Sequence, residues 1–281
     1  MHSVYRYWLA RLSKADVVFL GEIHDDPVHH VYEHDVLRDL VASGRRPALV
    51  MEQFDADRQP RLEEARRRFP LDAGAVASGA GFDFTGWNWS YYAPLVQTAL
   101  QRDLPLVGAN LDARAAMAAA GGSAPAGAIA ASKPLSAEGQ AALRRAIATG
   151  HCGMLSDAMV DRMAAAQRVR DAYIANAVVP YAERGAVVIV GRGHARWDYG
   201  AVRELRARMP GTDIVAVGMT EEGSDASDSD VGPTSTPPKP RSVDRIYDFV
   251  WVAPAFSRED PCVGMRRSLE HAEKQTPSQA R

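Results

Sequence analysis

With 281 residues and a 46% hydrophobic composition, the chain can bury a sizeable core, and one principal domain is expected over residues 1–256. A net charge of -2 and a pI near 6.5 supply no basic field to hold a phosphate backbone, so nucleic acid is excluded as an expected partner. The two cysteines, Cys152 and Cys262, have neither the paired spacing of a zinc module nor the density of a small disulfide scaffold, although one bridge between them stays open.

The opening stretch MHSVYRYWLARLSKADVVFLGEIH has no long apolar segment between a basic head and a small-residue cleavage site, so no signal peptide is expected. No run is long enough to span a bilayer, which fits a soluble protein or a mature fragment. Short runs rich in Val, Leu and Ile follow at 17–24, 48–53, 104–110, 186–194 and 213–219, and read as buried strands of a parallel sheet. After the first, VHHVYEHDVLRDLVASG reads as a helix that Asp26 caps and Pro27 starts. Residues 111–150, rich in Ala, Gly and Ser, break the alternation and read as a partly helical insertion above the sheet. A long helix is expected from Leu155 to Val179, ended by Pro180. Residues 221–242 read as a flexible loop, 245–256 as one returning strand, and 257–281 as a loose C-terminal tail. The predicted class is α/β, a mostly parallel sheet flanked by helices on both faces.

In such sheets ligands settle beyond the carboxyl ends of the strands. The first run ends in Glu22 and His24, the second in Glu52, the third in Asn110 and the fourth in Gly191-Arg192-Gly193-His194. Residues two apart on a strand share a side, so Glu22 and His24 can point into one space. Two imidazoles and two carboxylates suit a divalent metal with an open position, acid and base work, or a purely structural pairing. GRGHAR lacks the full glycine fingerprint of a phosphate loop and no Lys-Ser or Lys-Thr follows it. His29 and His34 read as part of a solvated helix face, while His30 is nearer the strand end. Met163, Gln167 and Asp171, spaced by four, lie along one side of the long helix and face either solvent or a polar pocket. The aromatics of WNWSYY (87–92) suit core packing or the walls of a flat apolar ligand, and His151-Cys152-Gly153-Met154 offers side chains able to ligate soft metals.

Taken in order, GEIHDDPVHH, MEQF, WNWSYYAP, GAN, HCGM, MAAAQRVRDAYIA and GRGHAR resemble the ChaN-like haem-binding uptake proteins of the wider Tiki, TraB and erythromycin-esterase superfamily. The likeness runs from about residue 15 to residue 220 and resumes at YDFVWVAP. It implies haem binding for bacterial iron uptake or storage, a homodimer that can enclose haem, and contact with membrane-associated uptake machinery. Carried over residue by residue, it places Glu22, His24, Glu52, Asn110, Gln167, Asp171 and His194 in one cleft with Trp89 and Tyr92 close by; His30 is a further candidate from its position near the end of the first strand. Tyr92 or His151 is the implied haem-iron ligand. The family's lipoprotein signal is not seen at this N-terminus, so periplasmic or membrane-attached localisation is implied only for a truncated chain. The alternative is a metal-dependent hydrolase, esterase or peptidase, built on Glu22, His24, Glu52 and His194.

Overall fold

The apolar runs and the returning segment form six strands of one parallel sheet: β1 (Val17–Glu22), β2 (Ala48–Asp55), β3 (Leu106–Asn110), β4 (Ala186–Gly191), β5 (Ile214–Glu221) and β6 (Phe249–Ala253). Their order across the sheet is β3-β2-β4-β1-β5-β6. This computed structural model describes residues 2–122, 129, 131, 133–223, 246–260 and 262–267. The first and fourth runs leave the ladder at Glu22 and Gly191, sooner than the sequence suggests, which puts His24 and His194 in the loops beyond.

Both faces of the sheet are covered, so strand residues of both parities are apolar. One face carries Val18, Leu20, Met51, Ile189 and Val217 against α1 (His2–Leu12), α2 (Pro27–Ala42), α3 (Gln59–Arg68), α4 (Ala73–Ala80) and α5 (Trp89–Gln101). The opposite face carries Phe19, Val50, Val188, Val190 and Ala216 against α8 (Asp157–Val178) and α9 (Ala201–Arg208). Full burial of each such Val, Leu or Phe contributes roughly 1.5–3 kcal/mol relative to exposure, which makes the two-sided sheet the main source of stability.

Local signals act where the sequence places them. Asp26 caps α2 by accepting from the Val28 N–H at 2.8 Å, and Pro27 occupies its first turn. The helices of the 111–150 region, α6 (Ala113–Ala120) and α7 (Ala137–Gly150), pack on α8 rather than on the sheet, through Ala116 against Ala166 and Leu143 against Ala164. The expected loop at 221–242 lies, from residue 224 on, outside the described residues. Of the segment expected as a loose tail, residues 257–260 and 262–267 are among those described. Arg258 donates to Asp25 at 2.7 Å and to Glu221 at 3.0 Å, and Cys262 forms a disulfide with Cys152.

Adjacent strands β1 and β4 send their following helices to opposite faces, α2 to one and α9 to the other. A crevice therefore opens between their carboxyl ends, where Glu22 lies in register with Gly191.

Candidate functional site

Two polar half-sites, one on each face of the sheet, meet at that crevice. Glu22 shares the face of Val18 and Leu20 and is 1% exposed. Its Oε1 accepts from the Tyr92 hydroxyl at 2.7 Å, from His24 Nδ1 at 2.7 Å and from the Gln53 amide at 3.2 Å. Its Oε2 lies 3.2 Å from His30 Nδ1, which is also 3.0 Å from Glu33 Oε2. His30 Nε2 lies 3.1 Å from the His24 carbonyl, which can only accept, so that nitrogen carries a proton. With Nδ1 between two carboxyl groups, His30 is an imidazolium. Burial alone would lower its pKa, but the bonds to Glu22 and Glu33 outweigh it and hold the group at about 10. Burial likewise opposes the ionised form of Glu22, yet the histidine bonds keep it well below the usual carboxylate range. Burial and the charge of Glu22 push Glu33 well above that range. The His30 ring stacks on Tyr91 at 4.5 Å and meets the edge of Tyr92 at 4.9 Å.

On the opposite face, Glu52 is 4% exposed and accepts from the Gly191 N–H at 2.7 Å. Its other oxygen lies 3.4 Å from His194 Nε2. His194 Nδ1 reaches Asp171 Oδ1 of α8 at 2.6 Å, and the Gln167 amide sits 2.8 Å from Nε2. Burial opposes protonation of His194, but Glu52 and Asp171 outweigh it and raise its pKa to about 10. A protonated Nε2 needs an acceptor, so Gln167 meets it through its amide oxygen, the two ends of that amide being related by a flip. Burial works against Glu52 too, yet the charge and hydrogen bond of His194 bring it down to about 2. Asp171 moves to about 6, raised by burial and pulled back by His194, so at pH 7 the pair is ionic.

His24 joins the halves. Its side chain is 45% exposed, with Trp87 at its edge 4.8 Å away. A Cβ on Gly191 would lie 2.8 Å from His24 Nε2 and 3.7 Å from Glu52 Oε2, so glycine is what lets imidazole and carboxylate share this place. Burial again opposes protonation of His24, and the Glu22 bond and the charge of Glu52 raise its pKa overall. An accessible imidazole backed at Nδ1 by a buried carboxylate can pass a proton at Nε2.

The structure thus brings together Glu22, His24, His30, Glu52, Gln167, Asp171, His194 and Tyr92. Asn110 turns to its own chain instead, its Oδ1 accepting from the Leu111 N–H at 2.9 Å. Trp89 packs on Phe82 and Phe84, and Trp87 is the indole beside His24 and Tyr92. Tyr92 is fully buried with its hydroxyl donating to Glu22 at 2.7 Å. His151 ends α7, half-buried, and donates from Nδ1 to the Ile147 carbonyl at 2.8 Å, a tautomer that keeps the Nε2 lone pair for a metal. His29 is buried rather than solvated, with Nδ1 accepting from the Ile23 N–H at 3.0 Å. Among the described residues, the metal-capable side chains whose ligand atoms converge within 4.8 Å are Glu22, His30 and Glu33, beneath the rim rather than on it.

Gln53 and Glu33 were not singled out from the sequence as site residues, whereas Trp87 belongs to the 87–92 segment read there as core packing or ligand walls. Strand alternation carries a signal for Gln53: it faces the side opposite Glu52, which is the side of Glu22. Glu33, three residues after His30, lies on the same helix face.

A family model described as haem-binding uptake, Tiki superfamily, ChaN matches residues 8–205. No curated protein sequence matches the chain significantly. Among solved structures, ChaN of Campylobacter jejuni, described as showing cofacial haem binding, is similar with a TM-score of 0.66 and 19% identity, over 79% of this chain and 88% of that one. An erythromycin esterase variant in its open conformation is similar with a TM-score of 0.47 and 15% identity, over 77% of this chain and 72% of that one.

Proposed function

This chain belongs to the ChaN family of haem-binding uptake proteins in the Tiki superfamily, and from that membership we propose that it binds haem for uptake or storage at the carboxyl end of its sheet. The observation that carries the reading is the span of the family match, residues 8–205, which contains both half-sites from Glu22 to His194. Haem held face to face between two copies would bury macrocycle surface that a single copy leaves in water, which is the physical reason for a homodimer. His151 is the proposed axial ligand, because its Nδ1 bond to Ile147 fixes the tautomer that a metal needs. Bound haem supplies an iron centre tuned by that axial ligand. The Cys152–Cys262 bridge supports an oxidising compartment such as the periplasm, and no described helix is long and apolar enough to cross a membrane.

The test is a haemin titration followed at the Soret band, with the free and loaded forms sized. A saturable shift that His151→Ala abolishes or displaces, with a doubling of mass, is expected. A wild-type spectrum identical to free haemin at every ratio would overturn the reading.

One observation favours a second reading. The 2.7 Å bond from His24 Nδ1 to buried Glu22 orients a half-exposed imidazole as a general base for ester or amide hydrolysis, with Glu52 nearby as a second acid or a metal ligand. A panel of ester and peptide substrates, with and without Mn, Co or Zn, tests it. Turnover lost in His24→Gln would support it, and no turnover under any condition would remove it.

A further inference from the structure

A cavity of 460 Å³ lies between α7 and the loop that follows β4. It sits at the same end of the sheet as the half-sites, because Arg192 and Gly193 line it and His194 is the next residue. Its wall carries three arginines, Arg145, Arg192 and Arg196, and no acidic side chain among its lining residues. Arg196 is 6% exposed and held in place by Asp198 through two bonds of 2.9 Å, with its guanidinium 4.6 Å from the Tyr199 ring. The α7 side is small and apolar at Ala142 and Ala146, and Tyr199 and Tyr247 also line the cavity. Thr149 and Gly150 carry the wall to the end of α7, one residue before His151.

Three guanidinium side chains beside small apolar and aromatic lining residues suit a ligand with an apolar body and carboxylate ends, since guanidinium forks bind carboxylates through two parallel hydrogen bonds. We propose that this cavity takes the propionate carboxylates of the bound porphyrin, with Arg145 and Arg192 as the residues that contact them. This rests on the haem reading above, and it assigns the acidic edge of the macrocycle to the α7 side of the site.

The experiment compares haemin, haemin dimethyl ester and metal-free protoporphyrin on the wild type, Arg145→Ala, Arg192→Ala and the double variant. Thermal melts confirm that the variants fold. Masking the propionates or removing both arginines is expected to weaken binding about tenfold, the scale of a lost charge-assisted contact. The ester should be indifferent to the arginines. Metal-free protoporphyrin should follow haemin, because its carboxylates are intact while iron ligation is absent. Equal affinity for haemin and ester, unchanged in the double variant, would overturn the carboxylate site and leave haem binding standing. Arginine-dependent binding of protoporphyrin without any haemin spectral shift would support the cavity and count against iron ligation. If neither porphyrin binds, both readings fall.

Discussion

His194 Nδ1 and Asp171 Oδ1, 2.6 Å apart, tie the loop after β4 to helix α8. Both side chains are almost wholly buried, so removing His194 leaves the Asp171 charge without this partner, and removing the Asp171 charge leaves His194 only Glu52. Asp171→Asn is expected to lower unfolding stability by about 1–3 kcal/mol in urea denaturation. The double variant with His194→Gln should cost less than the sum of the single changes, because neither residue is then left charged and alone. Strict additivity would show that the pair is not coupled.

Tyr92→Phe removes the buried donor to Glu22 while keeping the ring in the core. A loss of about 1–2 kcal/mol is expected, read by thermal or chemical unfolding. The haemin spectrum should be unaffected, in contrast to His151→Ala. A changed Soret position in Tyr92→Phe would restore Tyr92 as the iron ligand.

Stability should fall on the alkaline side. His30 and His194 each have folded pKa values of about 10 against an ordinary 6.5, so the folded state holds protons that the unfolded chain releases first. Their contribution is complete below pH 6.5 and is lost as pH rises through about 10. Glu52, lowered to about 2 from 4.5, contributes above pH 4.5 and loses its contribution as pH falls through about 2. Melting temperatures across pH 6–10 check the first claim, and NMR of the ring nitrogens at pH 8 should find both imidazoles still protonated.

Two glycines of the crevice should respond differently to alanine. At Gly21 a Cβ would lie 2.7 Å from Ala195 Cβ and 2.9 Å from the Arg192 backbone, neither of which can swing aside. Overpacking of this kind costs about 1–3 kcal/mol. At Gly191 the nearest atom is His24 Nε2, the tip of a half-exposed ring that can rotate away. Gly191→Ala should therefore melt close to the wild type while displacing His24 from Glu22, seen as a shift of the His24 ring pKa toward its ordinary value.

Reduction of the Cys152–Cys262 bridge, which closes a separation of 110 residues, should lower stability by about 2–4 kcal/mol. The melting curve of the reduced wild type should match that of Cys152→Ser, and both should lie below that of the oxidised protein. The same treatment should make the segment around Arg258 more susceptible to proteolysis, since it removes a covalent tie and leaves ion pairs such as those of Arg258 to Asp25 and Glu221.

Much of the fold was legible in the chain itself. Runs such as VVFLGE and AVVIVG are apolar on both parities because the sheet they enter is covered on both faces, and Asp26 with Pro27 marks the start of α2 by local hydrogen bonding alone. The crevice residues Glu22, His24, Glu52 and His194 were legible for the same reason, since polar groups at the ends of buried strands stand out from the pattern. Asn110 carried the same signal and yet bonds to its own backbone, on an edge strand three places away from β1.

What the sequence determined by itself was the class of fold, the end of the sheet that carries the polar residues, and a family resemblance held in ordered motifs. Periodicity and local capping act over a few residues and survive being read one element at a time. Only the tertiary structure decided that the polar residues divide between two faces, that Asp171 and Gln167 belong to His194, and that Tyr92 belongs to Glu22. It also closed the bridge between Cys152 and Cys262. Those pairings depend on strand order and on which helix covers which face, and they join residues whose separation along the chain says nothing of their separation in space.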